Sequence, residues 1–321
     1  MRAIQINEYG GPEVLTLVER DLPAPGPGQV AVAVAAAGVN FVDTYQRAGR
    51  YPVPLPFVAG SEGAGTVTAV GEGVTDVAVG DRVGWALVPG GGYASEVVVP
   101  ADRVVPLPDG VDERTAAAAL LQGMTAHFLA HDSYPVRAGD TVLVHAAAGG
   151  MGLLLTQVVN RLGGRVIGTV STPEKAALAR DNGVAEVIGY DDVAATVRKL
   201  TDGQGVAAAY DGVGAATFDA SLASLRRRGV LVLYGAASGP VPPFDPMQLQ
   251  HAGSVYLTRP TLGHHADRRE DLLRRAGDVL GWVADGTLTI RVGGTYPLAE
   301  AARAHADLES RRTTGKLLLI P

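Results

Sequence analysis

The apolar residues of this chain fall into short runs whose spacing changes twice along its length. Up to about residue 122, runs rich in Val, Thr and Ala are broken by Gly and Pro. Arg2–Asn7, Val14–Glu19, Gln29–Ala36, Gly65–Val70, Arg82–Leu87 and Tyr93–Pro100 read as strands. Turn clusters at Gly10–Pro12, Pro23–Gly28, Gly71–Gly73 and Pro89–Gly92 separate them. Many short strands with such turns predict a small, barrel-like antiparallel domain. One helix is predicted at Phe41–Ala48, with Asn40 as its N-cap.

From about 123 to 260 strands alternate with helices. Thr141–His145, Arg165–Val170, Ala185–Ile188, Val206–Asp211, Gly229–Gly235 and Ser254–Thr258 are the predicted strands. Leu153–Leu162, Ala194–Thr201 and Phe218–Leu225 are predicted helices between them, and another helix starts near Leu121. Six strands with helical crossovers predict a doubly wound parallel sheet, with its ligand at the carboxyl edge. Past residue 261 come an amphipathic helix, Arg269–Asp285, a strand at Leu288–Val292, a helix at Leu298–Ser310 and a strand at Lys316–Ile320. This last piece is expected to return to the first domain. The fold class is then α/β, with residues 123–260 inserted into a discontinuous β-rich domain, 1–122 plus 261–321.

The stretch His145–Gly152 carries the first chemical signal. It reads as strand, small-residue turn and helix, with the spacing Ala147-x-Gly149-x-x-Gly152 and Ala in place of the usual first Gly. Such a turn lets the backbone N–H groups of Gly149, Gly150, Met151 and Gly152 approach a pyrophosphate at a helix N-terminus. The end of the second strand then discriminates between cofactors. A site preferring NAD places Asp or Glu there for the ribose 2′-hydroxyl; this chain has Ser171-Thr172-Pro173-Glu174-Lys175. Thr172 can cap the next helix and Pro173 suits its first turn. Lys175 then stands beside free N–H groups, a fitting place for a 2′-phosphate, so NADPH is the expected cofactor. Glu174 works in the opposite sense. Tyr190 can add a hydroxyl or stack on the adenine, and Tyr234-Gly235-Ala236 ends the fifth strand near the nicotinamide half.

Composition narrows the alternatives. Hydrophobic residues at 47% and charged residues at 19% fit a globular chain with room for two cores. A net charge of −6, with Arg226–Arg228 the longest basic run, speaks against nucleic acid or an acidic membrane as the main partner. The absence of cysteine removes disulfides, thiolate zinc sites and cysteine nucleophiles. No signal-like N-terminus and no long apolar span is present, so the cytoplasm is the expected location. His127 and His131 share a helix face but lack the Glu of the metalloprotease pattern, His264 and His265 point apart, and no G-x-S-x-G elbow occurs. No metal is expected.

Gly38-Val39-Asn40, Asp43, Tyr45, Gly49, the segment Pro56–Gly65 and Val79–Val83 resemble the medium-chain dehydrogenase/reductase superfamily. Within it they are most similar to the zinc-free quinone oxidoreductases of the zeta-crystallin type. The zinc alcohol dehydrogenases carry Gly-His-Glu where this chain has Gly60-Ser61-Glu62, and Ser61 is a poor substitute for that zinc ligand. The resemblance spans the chain and implies a GroES-like catalytic domain around a Rossmann NADPH domain. It implies that Asn40–Tyr51 lines the cleft where nicotinamide and substrate meet. Asn40 would hydrogen-bond a carboxamide or acceptor oxygen, and Tyr45 would donate to the reduced oxygen or wall the pocket beside Tyr51. In that family Ser/Thr, Lys and Tyr at the positions of Ser171, Thr172, Lys175 and Tyr190 bind the 2′-phosphate. Thr125 lies near the nicotinamide, Thr314 and Lys316 reach the cofactor, and Arg259 faces the active cleft. The strand Ser254–Thr258 pairs with its copy in a second subunit, implying a homodimer. The implied activity is NADPH-dependent reduction of a quinone or similar conjugated carbonyl. An enoyl-thioester or alkenal reductase and a non-catalytic NADPH binder are the alternatives.

Overall fold

The computed structural model describes all 321 residues. They form two compact units, Met1–Met124 with Ala266–Pro321, and Thr125–His265. The joins fall after 124 and 265, where the sequence pattern puts them after 122 and 260.

The first unit opens with β1 (Arg2–Ile6), β2 (Thr16–Glu19) and β3 (Gln29–Val39), which leads into α1 (Phe41–Arg47). Then come β4 (Phe57–Val58), β5 (Glu62–Val70), β6 (Arg82–Ala86), β7 (Glu96–Pro100), β8 (Val104–Pro106) and α2 (Glu113–Phe128). The helix starts well before the expected Leu121. Asp112 Oδ1 accepts from Thr115 N at 2.6 Å, which caps the N-terminus, and four alanines, Ala116–Ala119, follow at no cost in side-chain entropy. The short strands β4 and β8 escape the sequence pattern because each is bordered or ended by proline.

The second unit carries β9 (Thr141–Val144), α3 (Gly150–Arg161), β10 (Arg165–Thr169), α4 (Pro173–Asp181), β11 (Glu186–Ile188) and α5 (Val193–Leu200). It continues through β12 (Val206–Asp211), α6 (Phe218–Ser224), β13 (Leu225–Leu233), α7 (Met247–His251), β14 (Tyr256–Thr258) and α8 (Leu262–His265). Its sheet runs β11-β10-β9-β12-β13-β14, parallel throughout. This is a Rossmann order, with its switch point between β9 and β12. Every residue of β12 is buried, as helices on both faces require. Leu143, Ile167, Val197, Phe218 and Leu231 form part of its core; each such side chain contributes about 1.5–3 kcal/mol by leaving water.

The chain then returns to the first unit through α9 (Arg269–Ala284), β15 (Val292–Pro297), α10 (Ala301–Glu309) and β16 (Lys316–Ile320). The expected strand at Leu288–Val292 does not form. Leu288 N is taken by Trp282 O at 2.8 Å, closing the end of α9, so extended pairing begins only at Val292. The larger sheet of this unit runs β15-β16-β3-β5-β6-β8, with β7 also on β3. β3 is long enough to pair β7 along its first half and β16 along its second. Valines of β3, β5, β6 and β7 pack around the buried Trp85. No helix in either unit is long and apolar enough to cross a membrane.

Candidate functional site

In the second unit the carboxyl ends of the parallel strands gather most of the expected nucleotide residues on one sheet edge. The glycine turn follows β9, Ser171 and Thr172 follow β10, Tyr190 follows β11, Tyr234–Ala236 follow β13 and Arg259 follows β14. Gly149 is the extended N-cap of α3, and Leu153 N donates to its carbonyl at 2.9 Å. The N–H groups of Gly150, Met151 and Gly152 thus lie in a first turn, where helices have no internal acceptor. Ala146 takes the left-handed region (φ 51°), and a Cβ on Gly152 would strike Ala146 O and Ala147 Cα. The tight, side-chain-free turn that a pyrophosphate needs is therefore built.

Thr172 caps α4, its hydroxyl accepting from Lys175 N at 3.3 Å, and Pro173 fills N1. Partial burial holds the Lys175 ammonium below its ordinary pKa. Glu174 is held below the ordinary carboxylate range by backbone N–H donation and by Thr172, so its charge stays tied to the helix N-terminus. The Tyr190 hydroxyl accepts from Ala146 N at 3.2 Å, linking the end of β11 to the glycine turn. These donors fit a dinucleotide with a 2′-phosphate.

A polar chain beneath this turn has little signature in the sequence. Ser221 donates to Asp211 Oδ2 at 2.7 Å, so it receives from His145 Nε2 at 2.9 Å. His145 Nδ1 in turn accepts from Thr169 Oγ1 at 3.0 Å, and that oxygen accepts from Ala146 N at 3.2 Å. Burial pushes the His145 pKa down, which keeps this neutral tautomer. Asp211 Oδ1 also takes Val213 N at 2.8 Å and Gly214 N at 2.9 Å. The chain ties the loop after β12 to the turn after β9. A histidine closing an apolar strand and an aspartate closing another were its only traces in the sequence.

His127 and His131 stack at 4.2 Å, and His131 Nδ1 bonds His127 O at 2.8 Å. His265 stacks on Phe128 at 4.2 Å and meets Asp132 at 3.0 Å. Thr125 stands part-exposed on α2.

In the first unit α1 presents an aromatic group. Tyr45 and Tyr51 meet edge to face at 5.4 Å, Phe41 lies 6.3 Å from Tyr45, and the Arg50 guanidinium sits 5.8 Å from the Tyr45 ring. Tyr51 is exposed and Tyr45 nearly buried.

Asn40 and Lys316 meet in the interior of the first unit. Lys316 is only 2% exposed; its ammonium lies 2.6 Å from Glu62 Oε2 and 2.6 Å from Asn40 Oδ1. It is therefore an interior cation, paired with a buried carboxylate. Asn40 Nδ2 donates to Glu62 Oε2 at 2.8 Å and to Gly38 O at 3.4 Å. Both amide hydrogens and the oxygen of Asn40 are thus engaged, and Asn40 bridges Glu62 and Lys316. Glu62 Oε1 takes Leu121 N at 2.6 Å. Gly38 is obligatory here, since a Cβ would collide with the Glu62 carboxylate. Thr314 Oγ1 accepts from Arg291 Nε at 3.4 Å, near the surface.

Asp43 is a second buried hub. It accepts from Asn40 N at 2.9 Å, Ser61 Oγ at 3.0 Å and Tyr93 OH at 3.1 Å. Burial pushes its pKa up to about 6 against those hydrogen bonds and the Lys316 charge. Tyr93 OH also meets His305 Nε2 at 2.9 Å.

Two family models match the chain. The alcohol dehydrogenase GroES-like domain covers residues 26–109, and the zinc-binding dehydrogenase domain covers residues 150–276. Quinone oxidoreductase of Pseudomonas aeruginosa is 47% identical, over 100% of this chain and 99% of its own. A 2-haloacrylate reductase of a Burkholderia species is 42% identical, over 99% and 98%. The crystal structure of Escherichia coli quinone oxidoreductase complexed with NADPH covers 100% of both chains at 39% identity, with a TM-score of 0.98.

Proposed function

Because the chain belongs to the quinone oxidoreductase family of the medium-chain dehydrogenase/reductase superfamily, we propose that it is an NADPH-dependent reductase of quinones or similar conjugated carbonyls. The observation that carries this reading is the end of β10. A capping hydroxyl, Thr172, and Lys175 stand there in the first turn of α4, with no Asp or Glu at the strand tip. A 2′-phosphate gains charge-assisted hydrogen bonds in such a place.

NADPH, when bound, supplies the hydride. The glycine turn holds its pyrophosphate, and Thr172, Lys175 and Tyr190 hold its phosphorylated ribose. Ser171, Thr125, Tyr234, Gly235, Ala236 and Thr314 remain further cofactor candidates. Phe41 and Tyr45 on α1, with Tyr51 in the loop after it, offer flat apolar faces to a planar acceptor. The Tyr45 hydroxyl is the candidate donor to the oxygen that gains charge, with Arg259 a second candidate. Ser61 and Glu62 hydrogen-bond Asp43 and Lys316, so the chemistry rests on an acceptor that is already electron-poor.

β14 is the edge strand of its sheet, with Tyr256 exposed on it. Pairing with a second copy would protect that edge, so a homodimer in the cytoplasm is the proposed working form; sedimentation tests it.

The decisive assay compares NADPH with NADH as donor to a simple quinone, read by loss of reduced-nicotinamide absorbance. Turnover with NADPH in strong preference supports the reading. A preference for NADH, or no quinone turnover despite tight NADPH binding, counts against it. The 2-haloacrylate reductase among the relatives favours a second reading, hydride delivery to an activated C=C bond. An acceptor panel in which acrylates, alkenals or enoyl-thioesters outrun quinones would establish it.

A further inference from the structure

α1 has seven residues, far below the length at which a helix holds itself in water. Something outside must fix it. Asp43 and Arg47 lie four apart and so share a face, while Tyr45 points away from that face. Both Asp43 and Arg47 are buried, and one chain of hydrogen bonds joins them by way of α10.

The direction of each bond in that chain is determined. Arg47 only donates, so His305 Nδ1, at 3.1 Å from Arg47 Nη1, accepts. A neutral His305 then carries its hydrogen on Nε2 and gives it to the Tyr93 oxygen at 2.9 Å. Tyr93 gives its own single hydrogen to Asp43 Oδ2, which also takes the Asn40 N–H. Arg47 is held further by two bonds to Glu309 on α10, at 3.1 and 2.9 Å, and by Gly10 O at 3.1 Å. Each donor has one acceptor, and removing any link strands a buried polar group.

We infer that His305 is a positioning residue for the acceptor. It grips α1 at Asp43, through Tyr93, and directly at Arg47, and thereby sets where Tyr45 and Tyr51 stand. The inference rests on the reading that the aromatic face of α1 receives the acceptor. All members of the chain lie in the first unit, whereas the glycine turn, Thr172 and Lys175 lie in the second. Loosening the grip therefore acts on the acceptor and spares NADPH.

Two substitutions cut different links. His305→Asn retains an acceptor for Arg47 and loses the donor to Tyr93; His305→Gln retains the donor and loses the acceptor. Tyr93→Phe removes the bond to Asp43. Wild-type turnover with a quinone is established first; its absence sinks the functional reading and not the grip, which is read independently by hydrogen exchange in the full-length protein. In each variant, amides of residues 41–48 should exchange faster than in wild type. The quinone KM should rise by about tenfold while the NADPH dissociation constant stays unchanged. His305→Asn combined with Tyr93→Phe should be no worse than Tyr93→Phe alone, because both break the same chain. Unchanged exchange over α1, an unchanged quinone KM, strictly additive effects, or an equal loss of NADPH affinity would each overturn the assignment.

Discussion

Lys316 Nζ lies 2.6 Å from Glu62 Oε2, and neither side chain reaches solvent. Taking both charges out of water costs several kcal/mol each, and the pair is tolerable because Asn40 bonds to both partners and the Leu121 N–H takes the other carboxylate oxygen. The two partners therefore depend on each other. Lys316→Met alone should cost about 3–5 kcal/mol, because it leaves a buried carboxylate without its cation. The double variant Glu62→Gln with Lys316→Met should be clearly more stable than the sum of the singles predicts. Urea unfolding of the three variants measures this; simple additivity would show that the pair is not coupled.

Lys175→Ala tests the cofactor assignment. The lost partner is the 2′-phosphate, which NADH lacks, so NADPH affinity should fall about tenfold to a hundredfold and NADH affinity hardly at all. Equal weakening in a fluorescence titration of both nucleotides would refute the role given to Lys175.

Gly152→Ala puts a methyl group against backbone atoms of Ala146 and Ala147, which cannot swing aside. At Gly149 the same change meets only Ala146 O, at 3.2 Å. Overpacking of this kind costs about 1–3 kcal/mol. Gly152→Ala should therefore lower both Tm and NADPH affinity, and Gly149→Ala should do so less. The reverse order would mean that the turn is shaped by something other than this contact.

The first unit should respond to acid in two opposed ways. Burial first, and then the Arg47 charge, push the His305 pKa down to about 3, with Tyr93 on its other side, Asp43 beyond Tyr93 and Glu309 beyond Arg47. The unfolded chain protonates this histidine near 6.5, so between those values it binds more protons than the folded chain. Stability then falls as pH drops from 6.5 toward 3. Asp43 acts in the opposite sense. The folded chain holds its proton up to about 6, against 3.8 unfolded, so its contribution is present at low pH and lost as pH rises through that window. In Tm profiles His305→Asn should flatten the fall below pH 6.5, and Asp43→Asn should steepen it. Parallel profiles would remove both assignments.

The sequence made the parallel sheet legible because β9, β10 and β12 are buried on both faces and carry continuous apolar centres with polar residues only at their ends. It made the cap of α4 legible because Thr172 and Pro173 act on their immediate neighbours. It could not show what Lys316 does, since Glu62 lies 254 positions away and only the pairings of β16 with β3 and of β3 with β5 bring the two together. The same distance hides His305 from Tyr93. The β15 error has a local cause: Leu288 looks like a strand residue, but its N–H closes a helix.

β16 follows every other strand of its sheet in sequence and yet lies inside that sheet, between β15 and β3. The second unit is contiguous in the chain, and all of its strands have left the ribosome before β16 exists. The first unit must wait, with the open edge of β3 exposed and Glu62 lacking its counter-charge, until Lys316–Ile320 emerge. Translation order therefore divides the molecule into an early-folding part and a part that stays vulnerable to proteases and chaperones until β16 has been made. A stop codon just before Lys316 should leave a folded second unit beside a first unit that never closes.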